Sequence, residues 1–418
     1  MSRFCMLNSI IGLIFFLVYA YQIYYIPISI FRRVKPFPEA DPRRYAILIC
    51  ARNESGVIGQ LIDSIHEQDY PQHLVDIHII ADNCTDNTAD VARRKGAFVV
   101  ERRDSTKIGK GFALNYLLDK VTEGGTVWDY EGFFVLDADN LLERGFLQEM
   151  NKAVCAGNRI VTCYRNSKNY GDNWLAASYA LWFLRESKYL NNSRQIIGGN
   201  AQCSGTGFVV HSDIFREYGV WNYFTLTEDV EFTMAMTAQG ERIAYCPTAI
   251  IYDEQPVSFK VSWKQRTRWV KGYFQSYRLY FLPLVKGIFL RRSFACFDML
   301  ASTFMGAILS VGLLAFYLAA IAWHIILGIP LPEVLTFLAQ FLLSGYAGCF
   351  IIGIITTKTE WGQIYCSNAK KVLFCFTFPL FLITLMPITI CAPFSRQRWP
   401  HIAHTRSLRV EEIKQVTK

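Results

Sequence analysis

The chain has 418 residues, 52% of them hydrophobic and only 19% charged, too apolar for an ordinary soluble protein and long enough for a catalytic-size domain plus membrane segments. Its net charge of +8 is modest, and the basic residues gather beside apolar stretches, which suits anionic headgroups and phosphorylated ligands and argues against nucleic acid as a partner. Its cysteines show no Cys-x-x-Cys pair or regular spacing, so neither a zinc site nor a disulfide framework is expected.

Residues 9–31 carry no charge and run into Arg32 and Arg33, the pattern of a spanning helix with a positive cytoplasmic flank. No small-residue cleavage site follows, so residues 1–33 read as an anchor and not as a removable signal. Residues 34–255 are mixed and polar and form the aqueous domain. Basic residues at both of its ends (Arg43 and Arg44, then Arg291 and Arg292) place it on the cytoplasmic side. Residues 256–292 read as interfacial amphipathic helices. Within 293–395, the stretches 299–327, 334–357 and 372–395 are uncharged and near spanning length, and Pro379 and Pro387 suggest that the last is kinked or only partly inserted. Three crossings after the domain would leave the basic tail 396–418 outside, against the positive-inside rule. The expectation is therefore a re-entrant last segment and a cytoplasmic tail that covers the active site.

Inside the aqueous domain, strand and helix signals alternate. "YAILICA" (45–51), "VDIHIIAD" (75–82), "GAFVVE" (96–101), "GFFVLDAD" (132–139) and "RIVTCY" (159–164) are short β-rich runs, with amphipathic stretches such as "VIGQLIDSIHEQ" between them. This order predicts an α/β fold with a doubly wound, mainly parallel sheet, whose ligands sit at the carboxyl ends of the strands.

The residues at those ends are Arg52, Asn53 and Glu54, then Asp82, Asn83 and Asp86, then Asp137 and Asp139. No Walker A or Gly-x-Gly-x-x-Gly cradle is present, but an Asp-x-Asp pair at a strand end can hold a hard divalent cation against a diphosphate. "STKIGKGFALN" (105–115) sets Lys107 and Lys110 among glycines at a helix start, either an anion site or a flexible surface turn. "GGNAQCSGTGFVV" (198–210), which contains Cys203, allows close approach of a bulky ligand or forms a bulged hairpin. "FTLTEDVEF" (224–232) puts Glu228 and Asp229 at a helix N-terminus that Thr227 is placed to cap, as dipole complements or as a general base. In "SWKQRTRWVKG" (262–272), a helix brings Gln265, Arg268 and Trp269 to one face and turns Arg266 away. Such a face suits a phosphate and a sugar ring, and the same stretch also suits a lipid interface.

Taken in order, Asp82, Asp137-x-Asp139, Thr227-Glu228-Asp229 and Gln265-x-x-Arg268-Trp269 closely resemble the signature of membrane-bound family 2 glycosyltransferases, the group of the cellulose, chitin, hyaluronan and poly-N-acetylglucosamine synthases. The resemblance covers about residues 45–280. It implies a GT-A fold, a nucleotide-sugar donor, usually UDP-linked, Mg or Mn at Asp137 and Asp139, and inversion to a β-linkage. By motif, Glu54 and Asp82, with Arg52 beside them, would hold the nucleoside. Asp137, Lys110 and Arg268 would face the diphosphate, and Asp229 would be the base, with Glu228 next to it. Cys203, Gln265 and Trp269 would meet the acceptor.

The expected activity is transfer of glucose or N-acetylglucosamine to a growing β-linked glycan at the cell membrane. Transfer of a single sugar to a lipid-linked acceptor is the alternative, and the complete set of carboxylates speaks against a non-catalytic sensor. Four candidate spans are few for a chain that exports its own polymer, so a homo-oligomer or a small membrane partner is a further expectation.

Overall fold

The computed structural model describes residues 3–123, 129–396, 404 and 406–415. All five expected strands form: β1 (Tyr45–Ala51), β2 (Val75–Asp82), β3 (Phe98–Arg102), β4 (Gly132–Asp137) and β6 (Ile160–Ser167). Three more complete the sheet: β5 (Leu141–Leu142), β7 (Phe208–His211) and β8 (Ile243–Asp253). The eight strands run in the order β3-β2-β1-β4-β7-β6-β8-β5. β1 pairs in parallel with β2 and β4, and β6 with β8, while β7 is antiparallel to both its neighbours. This is a GT-A-type mixed sheet built on a parallel core.

The apolar runs follow from burial on both faces of the sheet. Leu48 and Phe133 point into one cluster with Leu114, Phe208 and Trp221, whereas Ile47 and Phe134 point into another with Ile58, Met150 and Val161. Adjacent β-residues thus serve opposite layers.

After the sheet, one continuous helix, Phe259–Leu290, replaces the several interfacial helices expected, since Pro283 does not interrupt it. Among the described residues, three helices are long and apolar enough to cross a membrane: Phe4–Phe31, Leu331–Thr359 and Asn368–Phe394. A fourth candidate, Phe294–Thr303 with Gly306–Ala322, is bent by 51° at its break. The proline-bearing segment divides at Thr384 into Asn368–Ile383 and Leu385–Cys391. Arg266, turned away from the site as expected, reaches this break. Its Nη1 donates to the Phe381 carbonyl (2.9 Å) and to Thr384 Oγ1 (2.6 Å). The basic side chain therefore ties the long helix to an apolar one.

Candidate active site

Because β2, β1 and β4 are neighbours, their carboxyl ends deliver Asp82, Arg52, Glu54, Asp137 and Asp139 to one cleft with about 1000 Å³ of empty space. Asn53 and Asn83, just past β1 and β2, have φ of 57° and 55°, a left-handed conformation that asparagine tolerates better than most residues. Their side-chain oxygens accept from the backbone N–H of Thr85 (2.7 Å) and Asp104 (2.9 Å), so both asparagines shape the loops of the rim.

Each acidic group in this cleft has a cationic neighbour. Asp82 pairs with Arg102 at 2.7 Å; burial raises its pKa and the guanidinium opposes the rise. Lys110, the first residue of the helix Lys110–Thr122, donates to Asp137 and to the Gly205 carbonyl (2.6 Å). Burial alone would lower the pKa of this lysine, but Asp137 and Glu228 outweigh it and the ammonium form is held. Asp139 accepts from the Glu254 N–H at 3.0 Å; burial works against its ionisation, yet His404 and Lys168 keep its pKa below the usual range.

His404 comes from the tail. Its Nδ1 lies 3.0 Å from both Glu54 oxygens and its Nε2 lies 3.9 Å from Asp139. Arg406 pairs with Asp172 (2.8 Å) and Lys414 with Glu143 (2.7 Å), while Val410 and Ile413 bury beside Leu141 and Tyr252. The described part of the tail therefore lies across the first cleft; residues 397–403 and 405 fall outside the described residues. Ile413→Asp should detach this strap, since an unpaired charge cannot remain in an apolar contact. Limited trypsin digestion at Arg406 and Arg409 should then be about tenfold faster or more, the factor for a loss of roughly 1.4 kcal/mol.

A second cleft, with about 700 Å³ of empty space, shares Lys110, Asp137, Arg165, Gln265 and Arg268 with the first. Glu228, Asp229 and Trp269 line only this second cleft, whereas Glu54, Asp82 and Asp139 line only the first. Glu228 and Asp229 open the helix Glu228–Gln239. Burial and the neighbouring Asp229 push the Glu228 pKa up to about 8; burial also raises that of Asp229, with Lys110 opposing. Gly205 (φ 86°) sits between the two clefts, where an added Cβ would lie 3.7 Å from Asp229 Oδ2 and 3.8 Å from Asp137 Oδ2.

The long helix seats closely on this corner. A Cβ at Gly272 would come within 2.7 Å of the Thr227 backbone nitrogen, so only glycine permits the approach. Arg268 Nη1 donates to the Leu226 carbonyl at 2.6 Å, and Trp269 meets Tyr179 edge-on at 5.7 Å. The buried Gln265 Oε1 has no partner among the described residues, leaving an acceptor ready for a ligand.

Two expectations need correction. Thr227 does not cap its helix: its hydroxyl is buried against the Gly272 surface without a partner among the described residues. Cys203 reaches neither cleft. Its side chain is fully buried in the core and its N–H donates to Thr233 Oγ1 (3.1 Å), so the acceptor role assigned to it has no access. Arg165 and Asp253 were missed although they follow the apolar runs of β6 and β8, the same strand-end signal that picked out Asp82. His404 and Glu186 also line the clefts, and no local pattern marks either.

Among the described residues no three His, Cys, Asp or Glu side chains form a ready-made metal cage. Asp137 and Asp139 instead offer hard oxygen donors from the wall of the first cleft, a set that fits a divalent cation whose remaining ligands come from a diphosphate.

Comparison with known proteins agrees with this geometry. Residues 42–272 match the family described as "Glycosyltransferase like family 2". A probable glycosyltransferase, YdaM, of Bacillus subtilis is 26% identical over 55% of this chain and 55% of its own length. The β-monoglucosyldiacylglycerol synthase of Nostoc sp. is 27% identical over 58% of this chain and 51% of its own length. The poly-β-1,6-N-acetyl-D-glucosamine synthase of Staphylococcus aureus is 23% identical over 54% and 53%. The chain thus spans about half the length of these curated relatives. Among solved structures, a mannosyltransferase of Pyrobaculum calidifontis in complex with GDP-mannose and Mn²⁺ shares the fold, with a TM-score of 0.53 at 18% identity over 92% of this chain and 99% of that one. With a family match across more than half its residues, laid over the domain that carries both clefts, the chain belongs to the family 2 glycosyltransferases.

Proposed function

We propose that the protein is an inverting transferase that moves glucose or N-acetylglucosamine from a UDP-linked donor to a membrane-borne glycan. One observation carries this reading: two clefts of different chemistry meet at Lys110, Asp137, Gln265 and Arg268. In the first, Arg52, Glu54 and Asp82 hold the nucleoside, and Asp137 and Asp139 are the residues that would hold a Mg or Mn ion. That ion would neutralise charge on the departing nucleotide. Lys110 and Arg268 add fixed positive charge at the same point. In the second cleft, an acceptor hydroxyl attacks the anomeric carbon as the bond to the diphosphate breaks, and its proton passes to Asp229.

Transfer of a single sugar to a glycolipid is the second reading. The relatives named as β-monoglucosyldiacylglycerol synthases, at 27% identity against 23% for the polymer synthase, favour it. A panel of nucleotide sugars with products sized by mass separates the two, and absence of turnover with every donor would reject both. EDTA should abolish transfer and Mg or Mn should restore it; full activity in chelator would remove the metal from the scheme.

We also infer that the proline-bearing segment does not cross the membrane. Gln363, just before it, and Lys370, in its first turn, bond to the domain through Asn166 and Gly171. After it, His404 and Arg406 bond to the same domain. Both ends of the segment therefore lie on the domain side, as a re-entrant or interfacial helix requires. The positive-inside rule supports a cytoplasmic domain and tail, and we read the protein as a cell-membrane enzyme on that basis. Protease should spare the domain in right-side-out vesicles, and digestion there would overturn the orientation.

A further inference from the structure

The second cleft contains a carboxyl group to which the scheme above gives no role. Glu186 begins a π-helical turn, Glu186–Asn191, between the helices Trp174–Arg185 and Asn192–Ile197. Such a turn inserts an extra residue into a helix and often marks a functional site. Here it brings Glu186 into the lining of the cleft that also holds Asp229, Trp182, Phe183, Trp269 and Tyr273. One oxygen, Oε1, accepts from the Ser204 hydroxyl. The other has no hydrogen-bond partner among the described residues. Arg165 does not neutralise the group by pairing with it: its guanidinium is committed to Asp253 and the Ser204 carbonyl (2.6 Å) and lies 3.6 Å above the Phe183 ring. A carboxyl oxygen left open in a cleft walled by aromatic rings matches the chemistry of a pyranose, which offers apolar faces to rings and hydroxyls to an acceptor. A plain lipid alcohol would strand that oxygen.

We propose that Glu186 determines acceptor specificity, its free oxygen accepting a hydrogen bond from a ring hydroxyl of the acceptor, so that the acceptor end is a sugar and not a bare lipid alcohol. The inference rests on the transferase reading and narrows its acceptor class. A site built to bond a hydroxyl rejects an analogue that lacks it, because its polar group is then left buried and unpaired.

The test uses the full chain in nanodiscs with UDP-glucose or UDP-N-acetylglucosamine as donor, and octyl β-D-glucopyranoside, below its micelle concentration, or 1-octanol as acceptor. Wild type should favour the glucoside over octanol by at least about a hundredfold in kcat/KM. Glu186→Ala should raise the glucoside KM about tenfold or more, the scale of one hydrogen bond to a charged group, and raise it far more than the donor KM. The isosteric Glu186→Gln, which keeps one carbonyl acceptor, should lose less. Equal use of octanol by wild type, or an unchanged glucoside KM in Glu186→Ala, would overturn the proposal. Quenching of tryptophan fluorescence by the glucoside reads the same subsite without turnover. If wild type turns over no nucleotide sugar, the transferase reading fails. Quenching that is lost in Glu186→Ala then still supports the sugar subsite, and quenching retained there refutes it.

Discussion

Asp229→Asn should reduce sugar transfer by at least about a hundredfold while leaving UDP binding intact, the usual scale for removing a general base. The geometry separates the two properties: Asp229 lines the second cleft and is absent from the lining of the first. The base must be ionised to act, and burial raises its pKa, so the acid limb of the pH–kcat/KM profile should lie above the ordinary carboxylate range. Burial and the neighbouring Asp229 push the Glu228 pKa up as well, to about 8. Its stability contribution has the matching sign. A carboxyl group with a raised folded pKa favours the fold fully below its unfolded value, and that contribution is lost as pH rises towards about 8. Glu228→Gln should flatten this loss in a thermal melt followed between pH 5 and 9. Near-normal transfer by Asp229→Asn would reassign the base to Glu228.

The largest expected loss of stability lies away from the chemistry. Arg194 and Asp298, 0% and 3% exposed, form a two-point ion pair at 2.7 and 3.0 Å. Tyr21 and Tyr25 of the first helix each donate to the same carboxylate at 2.8 Å. This network clamps the N-terminal helix, the domain and the bent helix pair together. Asp298→Ala leaves a buried guanidinium without its counter-charge, which costs about 3–5 kcal/mol. Such a variant should lose most of its folded yield in detergent, measured by size-exclusion profile and melting temperature. A double substitution, Arg194→Met with Asp298→Leu, should recover part of the loss because it removes both charges. A melting temperature unchanged in Asp298→Ala would show that the clamp carries no weight.

How far the order of residues reached can be judged from particular positions. Asp82, Asp137 and Asp139 were legible because the last residues of β2 and β4 before them are buried and apolar, so the carboxylates at the strand ends stand out. Gln265, Arg268 and Trp269 were legible because helical spacing puts them on one face, and all three border the second cleft. The apolar runs of the membrane segments and the five main strands could be read the same way, since hydrophobic period and length are properties of short windows.

What lay beyond that reading depends on contacts between distant segments. β7 enters the sheet antiparallel between β4 and β6, a placement no local pattern encodes. His404 reaches Glu54 across 350 positions of sequence, and Glu186 meets the acceptor cleft through a π-helical turn that leaves no compositional trace. Thr227 shows the limit in the other direction: in sequence it is a good cap, but the close approach of Gly272 claims its side chain. Cys203 fails for a similar reason, as a glycine-rich passage can bring its backbone near a ligand while the packing of β7 and its neighbours turns the thiol into the core. Local periodicity encodes which residues leave the sheet. Packing energy, summed over pairs far apart in the chain, selects which of them face one another, and that selection is what makes two clefts share one wall.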